Sequence, residues 1–247
     1  MRIVNKGAAA LTLFALLLAP VAIANAEVIV GEPIQGFEGN KIVNAVPSKP
    51  APTPSLNAVV YDNTSSPAIF AVSSTDLASQ WGDELFTTNT GILSTMVFSL
   101  YNSGSSAGPL LTANVVISLF DANTSALLGT FNTNVNFGTG LPQGFYSLVT
   151  VTNLDPLLIN LNVTDIIAIQ RVNTKTGTAN RLGIASLNPP TVGSSPNDMF
   201  ISSSTIGPAG FYSFQNGPAN PAYQIQVALP PVGTHPTSWG RVKQLYR

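Results

Sequence analysis

The stretch Tyr223-Gln224-Ile225-Gln226-Val227-Ala228-Leu229 alternates apolar and polar residues. A period of two places one set of side chains on each face of an extended chain, so this stretch predicts a half-buried β-strand. Asn57-Ala58-Val59-Val60-Tyr61 opens the same region in similar style. Between them lie Gly91 to Tyr101, Ala113 to Asp121, Leu127 to Val135, Phe145 to Val151, Asp165 to Val172, Leu182 to Ser186, Met199 to Ser202 and Gly210 to Phe214. Each is rich in Val, Ile, Thr, Phe or Tyr and bounded by Gly, Pro, Asn, Asp or Ser, the spacing of a sandwich. Helix signals are nearly absent. Thr75 to Trp81 predicts at most one turn, capped by Thr75 or Asp76 and stopped by Gly82. No repeat of 20 to 50 residues is visible, which argues against propellers and solenoids. The expected fold is all-β, a single antiparallel β-sandwich of jelly-roll type over residues 57–229.

Upstream, Arg2 and Lys6 precede an apolar run from Ala8 to Ala19, then Pro20 and the small-residue site Ala24-Asn25-Ala26. This pattern predicts a secretory signal over residues 1–26, cleaved after Ala26. The apolar run is shorter than the roughly 20 residues of a membrane span, so no transmembrane helix is expected in the mature chain. Residues 27–56 read as an arm, with Val28-Ile29-Val30 as an edge strand or loose segment. A linker follows, in which Pro47, Pro50, Pro52 and Pro54 favour extended polyproline backbone. Residues 230–247 form a Pro-rich hinge and a short tail. Within that tail Trp239, Val242, Leu245 and Tyr246 fall at helical spacing opposite Arg241, Lys243 and Arg247. Trp239, Arg241, Lys243 and Tyr246 are the residues expected to meet a partner, a membrane surface or a sorting machine.

Composition removes several function classes. The formal net charge is −1, and no Lys or Arg occurs between Pro50 and Gln170, where Asp62, Asp76, Asp83, Glu84, Asp121, Asp155 and Asp165 all lie. A contiguous basic face for phosphates is missing, so nucleic acid is not an expected partner. The chain has no Cys and one His, His235, which stands in the hinge. Disulfides are therefore not its means of stability, and a zinc or transition-metal site lacks ligands. Gly104-Ser105-Ser106-Ala107-Gly108 fits Gly-x-Ser-x-Gly, but Pro109 follows and strands flank it, where a nucleophile elbow needs a helix. No Ser-His-Asp set can be assembled in the core, and catalytic residues are not expected.

Calcium needs only oxygen ligands. The candidate set is Asp62, Asp83, Glu84 and Asp198; otherwise no cofactor is expected. The same carboxylates could pair for glycoside hydrolysis, at a separation that sequence does not reveal. Trp81, Tyr101, Tyr146, Phe211, Tyr212 and Tyr223 are either core or a sugar-stacking platform. The loop from Asn188 to Asp198 combines Pro189, Pro190 and Gly193 with Ser194, Ser195, Asn197 and Asp198, and reads as a rigid crossover between sheets, with a binding loop that uses Asp198 as the alternative.

Tyr61-Asp62-Asn63-Thr64, Gly82-Asp83-Glu84-Leu85, Met96 to Tyr101, Asn188 to Ser195 with Asn197-Asp198, and the closing strand Ala222 to Ala228 occur in this order. Over residues 58 to 229 the chain thereby resembles exported bacterial β-sandwich proteins, many carried by PEP-CTERM-type sorting signals. It departs from them in lacking a Pro-Glu-Pro motif followed by a membrane helix and basic cluster, and in carrying Asn188 where similar sequences often have Asp. The tail Trp239 to Arg247 resembles short tails of exported bacterial proteins. The resemblance implies fold and export rather than an activity. The resulting expectation is an exported, non-enzymatic structural or adhesion module of the cell surface or matrix, meeting a glycan or a surface protein. A carbohydrate-binding module is the alternative, and a glycoside-processing enzyme the third. Oligomeric state stays open.

Overall fold

Two antiparallel sheets account for almost all of the backbone of the computed structural model, which describes residues 57–65, 68–103, 108–187, 189–213 and 220–229 together with three short strand segments, Arg2–Ile3, Ala22–Ile23 and Val28–Val30. In chain order the strands of the body are β1 (Asn57–Asp62), β2 (Ala68–Ser74), β3 (Gln80–Phe86), β4 (Gly91–Asn102), β5 (Leu110–Asp121), β6 (Leu127–Leu141) and β7 (Phe145–Val151). There follow β8 (Asn160–Leu161), β9 (Asp165–Gly177), β10 (Leu182–Leu187), β11 (Met199–Ser203), β12 (Gly207–Ser213), β13 (Asn220–Pro221) and β14 (Tyr223–Ala228). The only helical piece among the described residues is a 3-10 turn at Asp155–Leu157.

The first sheet runs β12-β11-β3-β9-β5-β6. The second is centred on β4, which pairs along one side with β7 and β8 and along the other with β14 and then β10. Beyond these, β1 continues from β14 and β2 from β10. The main core lies between the sheets: Phe98, Leu100, Ile225 and Val227 from the second sheet pack with Val115, Ile117, Leu119 and Ile166 from the first. This is the expected all-β sandwich.

Where both faces of a strand are covered, the period-two pattern disappears. β14 keeps it, with Tyr223, Ile225 and Val227 fully buried and Gln224 and Gln226 half-buried. β10 loses it, since all six of its residues are buried. Several strands outrun their expected ends: β6 continues to Leu141 and β9 to Gly177, held by cross-strand pairing with β5.

The single turn expected after Thr75, with Asp76 as its cap, is present, but it is not helical and ends before Gln80. Asp76 accepts the Ala78 amide at 2.8 Å and forms a tight turn, and the chain enters β3 at Gln80. Gly82 does not stop a helix there. It lies in the middle of β3, opposite Ile169 on one side and Phe200 on the other, where a β-carbon would fall 2.2 Å from the Ala168 carbonyl oxygen. A glycine is required by that close approach. β2 and β12 also depart from the expected pattern, β2 as an unanticipated strand and β12 by beginning at Gly207.

Val28–Val30 lies antiparallel on Val149 to Val151 of β7, the edge-strand alternative for the arm. The remainder of residues 1–56, the Gly104 to Ala107 segment, His235 and the tail residues Trp239, Arg241, Lys243 and Tyr246 lie outside the described residues. Among the described residues no helix is long and apolar enough to cross a membrane.

Candidate functional site

The loop from residue 189 to 198 stitches the two sheets together along one flank. On its first side, Thr191 N–H donates to the Asp62 carbonyl at 2.8 Å and Asp62 N–H donates to the Val192 carbonyl at 3.0 Å, joining the loop to β1 of the second sheet. Two residues on, Phe86 N–H donates to the Ser194 carbonyl at 2.8 Å and Ser194 N–H returns a bond to Phe86 at 3.1 Å, joining it to β3 of the first sheet. Gly193 is the pivot between the two pairings. Its φ is +73°, and a β-carbon would lie 2.5 Å from the Phe86 carbonyl oxygen and 3.1 Å from the Tyr61 ring. The expectation of a rigid crossover corner holds, with a definite location: the seam between β1 and β3.

Beneath the seam the polar residues of four separate stretches meet. Asp83 on β3, Ser195 in the loop, Asn63 after β1 and Asn220 on β13 are all buried or nearly so, and Asp83, Asn63 and Asn220 are at most 1 % exposed. Ser195 Oγ is the hub, lying 2.5 Å from Asp83 Oδ2, 2.9 Å from Asn220 Oδ1 and 3.1 Å from the Pro196 carbonyl. Asn63 donates through Nδ2 to the Asn220 and Pro221 carbonyls at 3.0 and 3.2 Å, and its own amide donates to the Tyr223 carbonyl at 2.8 Å. Asp83 Oδ1 accepts the Glu84 amide at 2.9 Å. The buried rings of Tyr61 and Tyr223 belong to the adjoining core.

Ser195 Oγ donates to Asp83 Oδ2, and the same hydroxyl lies within hydrogen-bond distance of Asn220 Oδ1 and the Pro196 carbonyl. Burial pushes the Asp83 carboxyl well above the usual carboxylate range, the Ser195 hydrogen bond opposes that rise, and the neighbouring Asp198 reinforces it. Burial likewise raises the Tyr61 and Tyr223 phenols, and the charge Asp83 would carry raises them further. An uncompensated charge here is expensive, which makes the neutral acid the state that fits.

The four carboxylates singled out for calcium part company in the fold. Asp83 and Asp198 come together, and both are buried. Asp62 spends Oδ1 on the Thr64 amide at 2.8 Å and the Thr64 hydroxyl at 2.7 Å, a local turn. Glu84, the residue after Asp83 on a strand, projects to the opposite face. Among the described residues no group of three or more His, Cys, Asp or Glu gathers in a form suited to a metal ion. The aromatic residues divide the same way: Trp81, Tyr146, Tyr212 and Tyr223 are buried, so they do not form an open stacking surface.

Ser195 and Asn220 were not distinguishable from turn residues in the sequence, and neither Tyr61 nor Asn63 pointed to a shared cluster. The one usable signal was order: Tyr61-Asp62-Asn63, Gly82-Asp83 and Ser194-Ser195 stand in the stretches that carry the resemblance. The chemistry of the assembled cluster is hydrogen bonding between two sheets around one buried carboxyl. No protein-family model matches this chain, and no curated protein matches it.

Proposed function

We propose that this chain is an exported, non-catalytic β-sandwich that serves as a structural or adhesion module at the cell surface or in the extracellular matrix. The observation that carries the reading is the burial of the motif residues. Asp83 is 0 % exposed and is used up in a hydrogen-bond chain that joins two sheets. A carboxyl in that position stabilises a shape and offers no face to a substrate. Export is supported by the leader-like residues 1–26; with no cysteine in the chain, stability then rests on packing and on such polar chains rather than on disulfides. The tail residues Trp239, Arg241, Lys243 and Tyr246 serve this role as a retention element.

A second reading, polysaccharide binding, draws on one observation. On the outer face of β5, β6 and β9 the exposed pairs Thr112–Thr176 and Asn114–Asn134 lie 2.6 and 2.8 Å apart, a flat array of hydroxyls and amides without charge. The two readings separate in one experiment, in which the exported protein is fractionated, its N-terminus is sequenced, and it is presented to a glycan array and a polysaccharide panel. The leading reading expects a chain beginning at Glu27, no turnover and no specific glycan retention. Retention that T112A and N114A abolish would replace it with the second. Turnover that is lost in a well-folded Asp83→Asn variant would replace both with the glycoside-processing enzyme.

A further inference from the structure

We propose that β6 is a self-association edge, along which two copies of this chain pair antiparallel through residues 129–136 to make one continuous sheet. β6 is the outermost body strand of the first sheet. An outer strand presents a row of unpaired N–H and C=O groups, and proteins ordinarily blunt such edges with charge, proline or bulges. None of the fifteen residues of β6 is charged and none is proline. At the other end of the same sheet, β12 carries Pro208, and in the second sheet the edge of β7 is covered by Val28–Val30. Register irregularities against β5 flank the stretch from Gly129 to Asn136 and leave it plain between them. That edge also accepts a strand: Ala22–Ile23 lies parallel on Phe131 and Asn132. Cleavage after Ala26, part of the export reading on which this step alone rests, removes those two residues and frees the edge.

The edge can pair with itself about a residue-centred two-fold axis without misplacing a face, and the Thr133 hydroxyl selects which residue lies on that axis. Antiparallel partners share a face only when inward residues meet inward residues. Buried positions along the strand are Phe131, Thr133 and Val135, while Asn132, Asn134 and Asn136 alternate with them as half-buried or exposed positions. Centring the two-fold axis on Thr133 sets Phe131 against Val135, Asn132 against Asn134 and Thr130 against Asn136, and leaves no side chain on the wrong face. It also brings the two Thr133 side chains together. Thr133 is 2 % exposed, and its hydroxyl meets no hydrogen-bond partner among the described residues. Across the axis each hydroxyl gains a partner in the other, a pairing that directly opposed strand residues permit. An isologous contact of this kind closes as a dimer.

The test uses the exported chain and sedimentation across a concentration series, with no added ligand. The wild type is expected to show a monomer–dimer equilibrium. N132K/N134K, which sets like charges across two symmetry-related pairs, is expected to raise the dissociation constant by roughly tenfold, whereas N132K/N134D sets opposite charges across the same pairs and restores association. Because the chain has no native cysteine, single-cysteine variants at positions 130 to 136 map the register directly: directly opposed Cα atoms lie about 4.5–5.5 Å apart, within disulfide range. T133C is expected to crosslink fastest. A chain that stays monomeric at every concentration overturns the proposal, and so does fastest crosslinking at any other position. Neither result bears on whether the protein is exported or lacks catalysis.

Discussion

Replacing Asp83 with Asn makes the state of the buried carboxyl measurable as stability. A neutral Asp donates through one oxygen and accepts through the other; Asn does the same, with its amide in place of the acid hydroxyl. Asp83→Asn therefore keeps both the Ser195 contact and the Glu84 amide bond, and at neutral pH its stability should fall no more than about 1 kcal/mol below the wild type. Asp83→Ala leaves the Ser195 hydroxyl and the Glu84 amide without their partner, at about 1–3 kcal/mol for each buried group. The two variants also differ in pH response. The folded-state pKa of Asp83 is raised above its unfolded value, which is about 3.9. The folded chain therefore holds a proton that the unfolded chain has released. The contribution is fully present below the unfolded pKa and is lost as pH rises through the folded pKa, at about 1.4 kcal/mol per pH unit within that window. Urea unfolding of wild type and Asp83→Asn at a series of pH values from 3 to 8 reads this directly. The wild type should weaken relative to the variant as pH rises. A wild type that strengthens relative to Asp83→Asn over that range would show an ionised, stabilised carboxylate and refute the reasoning.

Three further changes probe the same architecture. Ser195→Ala removes the hub that contacts both Asp83 and Asn220, and denaturant unfolding should show a loss of about 1–3 kcal/mol. Gly193→Ala puts a β-carbon at positive φ and against the Phe86 carbonyl, so it should cost at least about 1 kcal/mol, read as a lowered melting temperature. Phe98→Ala empties a fully buried position in the core between the sheets; calorimetry should show about 3–5 kcal/mol of destabilisation.

The fold was legible wherever a strand has one wet face. Tyr223 to Ala228 alternates because water reaches Gln224 and Gln226 while Ile225 and Val227 face the core, and burial follows the letters one for one. Gln80 to Phe86 was not legible. Trp81, Gly82 and Asp83 are buried in succession, so both faces are covered there, and one of those buried residues is a carboxyl, so Gly82-Asp83-Glu84 resembled the end of a turn. The site was hidden for a different reason. Ser195 meets Asp83 across 112 positions and Asn220 across 25, and such convergence depends on how the two sheets stack. The crossover character of the 188–198 loop could be read, since prolines and a glycine act locally; its role as the clasp between β1 and β3 could not.

The state of one proton carries the account of the site. Carbon-13 NMR of the Asp83 side-chain carboxyl, assigned by its disappearance in Asp83→Asn and followed as pH is raised, reports that proton directly. The structure predicts a carboxyl that holds its proton to a pH well above the ordinary aspartate range, because burial disfavours its charged form. A carboxyl at position 83 that is already ionised below pH 5 would contradict the buried, raised carboxyl and the reading of the motif as a clasp between sheets.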